Sequence, residues 1–181
     1  LANAPSVNFG PTVGNVGIEG ISVDPRDGSF FIVKQDNPAQ LRGGLATFSL
    51  SGGSFTETVS FTGATSLFGL NSLSDVATLA PVNSLAGGVA ANHLLVLSLE
   101  SRRLIEIDRL GNTISVLDLS GITNQALEGV TVDELGTIYL VAEDSGTGNS
   151  RLIVLSQVPE PGTWALMAFG LLAVAGAARR K

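Results

Sequence analysis

Five carboxylates are spaced so that they could do chemistry together. Glu19 and Glu128 hold equivalent positions in two similar segments, Gly17-Ile18-Glu19-Gly20-Ile21-Ser22-Val23-Asp24 and Ala126-Leu127-Glu128-Gly129-Val130-Thr131-Val132-Asp133. A third segment, Ser72-Leu73-Ser74-Asp75-Val76-Ala77-Thr78-Leu79, aligns with them and places Asp75 one step displaced. Glu100 and Glu143, with Gln35, lie at or just beyond the ends of the apolar runs that follow. If each segment is a strand lining a channel, these oxygens converge at its mouth. Ca²⁺, which takes about six to eight oxygen ligands, is the ion such a set suits. A second reading stays open, in which the acids are solvated or accept hydrogen bonds from backbone N–H groups of the neighbouring repeat. No EF-hand or other dedicated ligand loop is present to decide between the two.

Other reactive constellations are thin. Cysteine is absent, so thiolate metal sites and disulfides have no material, and with His93 as the single histidine a nucleophilic hydrolase is weakly supported. Asp144 to Ser150 reads as a hairpin connection. Arg102-Arg103 reads as a solvated turn, with phosphate or glycan contact as the alternative. No glycine-rich loop leads from a strand into a helix, which argues against a nucleotide enzyme. Without residues 159–181 the chain carries 7 Lys+Arg against 15 Asp+Glu, a formal charge of 7 − 15 = −8. Phosphate backbones would be repelled, so nucleic acid is not an expected partner.

The elements that must position the carboxylates repeat. From Ile18 to Leu73 is 55 residues and from Leu73 to Leu127 is 54. Each segment is followed by a second strand: Phe30 to Val33, Leu94 to Leu97, and Ile138 to Val141. Pro25-Arg26-Asp27-Gly28 and Glu134-Leu135-Gly136 supply turn chemistry between them. Period-two alternation in Leu104-Ile105-Glu106-Ile107-Asp108 and Ile114-Ser115-Val116-Leu117, joined at Leu110-Gly111-Asn112, predicts third and fourth strands in the second repeat. The first repeat offers Leu45 to Leu50 and Phe55 to Phe61, and the third offers Arg151 to Leu155 and stops there. The class is all-β. Four-stranded units at this period read as β-propeller blades, with a β-sandwich as the alternative. About three blades are too few to close a ring, and the chain opens on Leu1-Ala2-Asn3-Ala4 without an export signal. The expectation is a fragment lacking N-terminal blades, with Val7 to Phe9 as the outer strand of a lost one.

His93-Leu94-Leu95-Val96-Leu97-Ser98-Leu99-Glu100-Ser101-Arg102-Arg103-Leu104-Ile105-Glu106-Ile107-Asp108 and Leu127-Glu128-Gly129-Val130-Thr131-Val132-Asp133 are similar to the SdiA-regulated domain family. The resemblance spans roughly residues 15 to 157. It implies an exported six-bladed propeller, distantly related to esterase-like phytases, and a calcium site.

The C-terminus carries a different message. Pro159-Glu160-Pro161 precedes an uncharged apolar run from Trp164 to Ala178, and the chain ends on Arg179-Arg180-Lys181. The run is shorter than the roughly 20 residues of a full span, while the basic end is a positive-inside flank. This order of parts resembles the PEP-CTERM sorting signal. It implies a transmembrane helix over 164–178, processing by an exosortase-type enzyme at the inner membrane of a Gram-negative bacterium, and contact with exopolysaccharide.

Two domains are therefore expected: a partial propeller over 1–157 and a sorting signal over 158–181. The expected function is an exported cell-surface or matrix module that binds a ligand. The alternative is a secreted metal-dependent phosphoesterase or esterase.

Overall fold

The computed structural model describes residues 6–14, 16–49, 52–63, 67–144, 146 and 148–156. Among the described residues, eleven strands run β1 (Ile18–Val23), β2 (Phe30–Lys34), β3 (Ala39–Ser49), β4 (Gly52–Gly63), β5 (Asp75–Thr78), β6 (Leu94–Ser98), β7 (Arg103–Ile107), β8 (Thr113–Asp118), β9 (Ala126–Val132), β10 (Ile138–Glu143) and β11 (Arg151–Leu155). They form three antiparallel sheets in chain order, β1-β2-β3-β4, β5-β6-β7-β8 and β9-β10-β11. The all-β class and the three successive meanders agree with the repeat in the sequence. Two short 3₁₀ turns, Asn83–Leu85 and Val89–Asn92, fill the longer loop of the second repeat.

Burial alternates where it should and fails to alternate where two neighbours press. Every residue of β6 is buried. Leu94 and Val96 point into one apolar layer with Phe31, Val33, Leu41, Val76, Ile105 and Ile107. Leu95 and Leu97 point into a second layer with Ala77, Leu104, Leu127, Val130, Leu140 and Ala142. Side chains of a strand alternate between faces, so a strand covered on both faces becomes one continuous apolar run. The middle sheet is packed in this way between the other two.

The hairpin turns follow from acids that end strands. Asp108 Oδ1 accepts from the backbone N–H of Leu110 and Asn112 at 2.9 Å each. Asp133 Oδ1 does the same for Leu135 and Thr137, and Asp24 Oδ1 accepts from Arg26 N. A short carboxylate two residues ahead of an N–H mimics a backbone turn.

Two expectations are corrected. The third strand of the first sheet begins at Ala39, not Leu45, because Leu41 is buried opposite Val33. The Gly43-Gly44 pair hides this strand from propensity, and the register shifts there. A Cβ on Gly43 would meet the Phe31 ring at 2.5 Å, so only glycine lets that ring lie flat on β3. Val7 to Phe9 is not a strand; Phe9 instead stacks edge-on against Phe55 at 4.9 Å, beneath the Arg42 guanidinium.

The sheets meet along their first strands. β1 lies beside β5 and β5 beside β9, with no backbone ladder between them. Asp75 supplies the link: its Oδ2 accepts from Val130 N at 2.7 Å and its Oδ1 from Val76 N at 2.8 Å. Gly20 and Gly129 sit on either side of it. A Cβ on Gly20 would come within 2.7 Å of the Asp75 Cα, and one on Gly129 would come within 3.6 Å of Oδ2. Ser22 Oγ adds a second tie by accepting from Thr78 N at 3.0 Å.

At the opposite end a charge network staples the first two sheets. Asp24, with its side chain 1% exposed, accepts from Arg26 Nε at 2.9 Å and from an Arg109 terminal nitrogen at 3.0 Å. Arg109 also donates to the Asn92 carbonyl at 2.5 Å and lies 4.0 Å over the Phe31 ring.

Two outcomes are expected. Asp75→Ala should cost about 2–3 kcal/mol in urea unfolding, since Val130 N–H is left without its partner. Gly20→Ala should cost about 1–3 kcal/mol by overpacking the same joint, whereas Asp27→Ala, in an exposed turn, should cost much less. Hydrogen bonding from Arg26, with Arg109 adding to it, holds the Asp24 carboxyl below the ordinary range. Its contribution is therefore present above about pH 4 and lost as pH falls through the lowered value. Asp24→Asn should flatten that acid limb of the stability–pH curve.

Candidate functional site

The bulges that shape the strand starts decide where the acids point. In β1 the register passes from Ile18↔Lys34 to Gly20↔Val33, leaving Glu19 as the extra residue. In β9 it passes from Gly129↔Val141 to Leu127↔Ala142, leaving Glu128 as the extra residue. A bulge bends the strand and re-aims the unpaired side chain. Glu19 and Glu128 are both exposed at the end where the first strands begin. Glu143 closes β10 at the same end.

Glu128 feels both of the others. Partial burial raises its carboxyl above the ordinary range, and the negative charges of Glu143 and Glu19 raise it further. Glu19 Oε1 accepts from Gly17 N at 3.1 Å. These three form an acidic rim.

The remaining two predicted residues stand apart from that rim. Asp75 occupies the glycine layer of its neighbours rather than the glutamate layer, and both its oxygens accept backbone N–H groups. Burial pushes its carboxyl up, while those two donors pull it down. It therefore follows the second of the two readings of the sequence. Glu100 is exposed at the turn between β6 and β7, and its backbone N donates to Ser72 Oγ at 3.2 Å. Among the described residues no group of three or more His, Asp or Glu side chains has the spacing of a metal cage.

Sequence reasoning missed the serines around that turn. Ser72, Ser74, Ser98 and Ser101 accept from Glu100 N, Leu99 N, Ser101 N and Asn71 N respectively. They hold a turn in which Arg102 takes a left-handed φ of 47°. A cluster of small hydroxyls flanking an Arg-Arg pair was the available signal. His93, buried before β6, bonds Glu106 through Nδ1 at 2.6 Å, and Ser115 donates to the other oxygen of Glu106 at 3.0 Å. The carboxylate thus lies between hydroxyl and imidazole, which is not the order of a nucleophilic triad.

Three antiparallel meanders set side by side along their first strands, with acids gathered at one end, define a propeller-like all-β repeat protein. The chain belongs to the SdiA-regulated family, whose sequence model matches residues 1–145. Residues 157–181 match the PEP-CTERM protein-sorting motif, a signal of exported, exosortase-sorted proteins. The Pro159-Glu160-Pro161 box, the helix expected over 164–178 and the Arg179-Arg180-Lys181 end lie outside the described residues. Among the described residues no helix is long and apolar enough to cross a membrane. The chain is also similar to the crystal structure of the Saccharomyces cerevisiae Sqt1, with 10% identity and a TM-score of 0.40. That match covers 77% of this chain and 35% of the other.

Because the Glu128 carboxyl is raised, the folded chain binds more protons than the unfolded chain between the ordinary and the raised value. Stability from this residue is full below the ordinary glutamate range and falls as pH rises through the raised value. Glu128→Gln should remove that fall and raise the melting temperature at pH 7, as read by thermal unfolding at stepped pH.

Proposed function

We propose that this chain is part of an exported, exosortase-sorted β-propeller that works as a ligand-binding module at the cell surface or in the extracellular matrix. Residues 1–157 form the propeller part, belonging to a six-bladed ring, and residues 158–181 form the sorting tail that holds the protein at the inner membrane before or after processing. The paired bulges carry this reading: they turn Glu19 and Glu128 outward at one end, within electrostatic reach of Glu143. Strand register is given up twice to present carboxylates, and bulges of this kind recur beside functional sites.

Calcium is the ion proposed for this rim. Glu19, Glu128 and Glu143 fit it in charge and oxygen chemistry, and their mutual repulsion is what a divalent cation would relieve. They do not fit a closed protein cage, so water and a ligand would complete the coordination. Asp75 and Glu100 are left out of the set.

The phosphoesterase alternative finds less support. A phosphate centre needs bases beside its acids, whereas Arg26 and Arg109 are held by Asp24 at the opposite end and Arg42 is held by Glu57.

The experiment is thermal unfolding of the full-length protein in calcium and in EDTA. A ligand at 100 times its dissociation constant adds about 2.7 kcal/mol of stability. The upward shift expected in calcium should shrink in Glu19→Gln and in Glu128→Gln and persist in Glu100→Gln. Superimposable curves in calcium and EDTA would sink the calcium assignment.

A further inference from the structure

The same end of the molecule holds a second, chemically different feature. A cleft of about 270 Å³ opens between the β8–β9 connection, Ser120 to Gln125, and Arg151 at the start of β11. Its size falls just below the roughly 300 Å³ at which small-molecule pockets begin, which suits a single small ring. Apart from Gly121 and Ile122, every residue lining it carries a polar side chain.

The seven cations outside the tail are distributed tellingly. Arg26 and Arg109 serve Asp24, Arg42 serves Glu57, and Lys34 donates to the Asn37 carbonyl. Arg102 donates to Asn124 Oδ1 at 3.3 Å, and Arg103 lies in the field of Asp118. The Arg151 side chain makes no hydrogen bond or ion pair among the described residues, and it is the cation that lines the cleft. In a domain with a surplus of acids, an exposed guanidinium without an acid partner is available to an outside carboxylate, which it can grip through two parallel N–H bonds.

The rest of the lining suits hydroxyls. Gln125 is 5% exposed; its amide nitrogen donates to the Asn149 carbonyl, and its Oε1 has no partner. A buried amide oxygen left unpaired is costly, and a donated hydroxyl or bridging water would satisfy it. Thr123 is nearly buried and orders the loop by accepting from Gln125 N at 3.1 Å. Ile122, 43% exposed, offers an apolar patch for the C–H face of a sugar ring. Asp118, just ahead of the loop in sequence, is engaged elsewhere: its Oδ1 accepts from Ser120 N and Arg103 lowers its carboxyl.

We infer that this cleft binds a carboxylated sugar, with Arg151 pairing the carboxylate and the Ser120–Gln125 loop taking ring hydroxyls. The site deepens the binding-module reading and uses no residue of the acidic rim, so it stands or falls separately from calcium.

The test is binding of glucuronic acid to the full-length protein, followed by calorimetry and by competition with glucose and with inorganic phosphate, in calcium and again in EDTA. Glucuronic acid should bind in both media and glucose at least about tenfold more weakly, since a charged hydrogen bond is lost. Arg151→Ala and Arg151→Gln should each weaken glucuronic acid about tenfold or more while leaving the melting curve unchanged. Three results would overturn the assignment: no binding by the unaltered protein, equal binding by the Arg151 variants, or phosphate competing as well as glucuronic acid. Loss of the calcium shift with glucuronic acid binding intact would remove the rim proposal alone.

Discussion

The three sheets depend on one carboxylate placed where its neighbours have no side chain. Asp75 reaches Val130 N from between Gly20 and Gly129, so three first strands lie together without sharing a backbone ladder. Antiparallel strands inside a sheet satisfy one another; adjacent first strands of different sheets do not, and their N–H groups need another acceptor. A half-buried acid is costly unless its charge is met by donors, and here two backbone N–H groups meet it. The apolar layers on both faces of the middle sheet close over this joint, with Leu94 facing the first sheet and Leu95 the third.

The two ends of this stack differ in charge economy. One end consumes its cations: Asp24 holds two arginines, and Arg109 in addition covers Phe31. The other end leaves Glu19, Glu128 and Glu143 facing solvent, with Arg151 outside any ion pair of the described residues. A scaffold fastened at one end and electrostatically open at the other is the arrangement expected when loops gathered at one face do the recognising.

Much of this was legible in the sequence. The strand pairs, their order and the turns at Pro25 to Gly28, Leu110 to Asn112 and Glu134 to Gly136 followed from alternation and turn residues, whereas the capping roles of Asp24, Asp108 and Asp133 emerge only from the structure. The repeat spacing located Glu19 and Glu128, yet it could not reveal that each is the extra residue of a bulge, since register is a property of two strands rather than one. Asp75 was grouped with the glutamates because it is an acid near the right offset. Counted by spacing, it falls on the position of Gly20 and Gly129, and only the packing shows that the acid excludes a side chain at Gly20 while Val141 does so at Gly129. The early start of β3 escaped because Gly43-Gly44 lowers strand propensity where the Phe31 ring demands room. The Arg151 cleft had no local pattern at all, being assembled from a connection and a strand start some 26 residues apart (151 − 125).

The glycine–aspartate–glycine layer also bears on how such a chain can lengthen. A joint made of hydrogen-bond ladders would require matched registers across every new unit, because each strand edge must find its complement along its whole length. A joint made from one side chain seated between two residues lacking a Cβ asks for agreement at a single level. Tandem duplication of a meander could therefore be accommodated by small changes at one position per copy, giving the architecture a grammar in which units are added or lost whole.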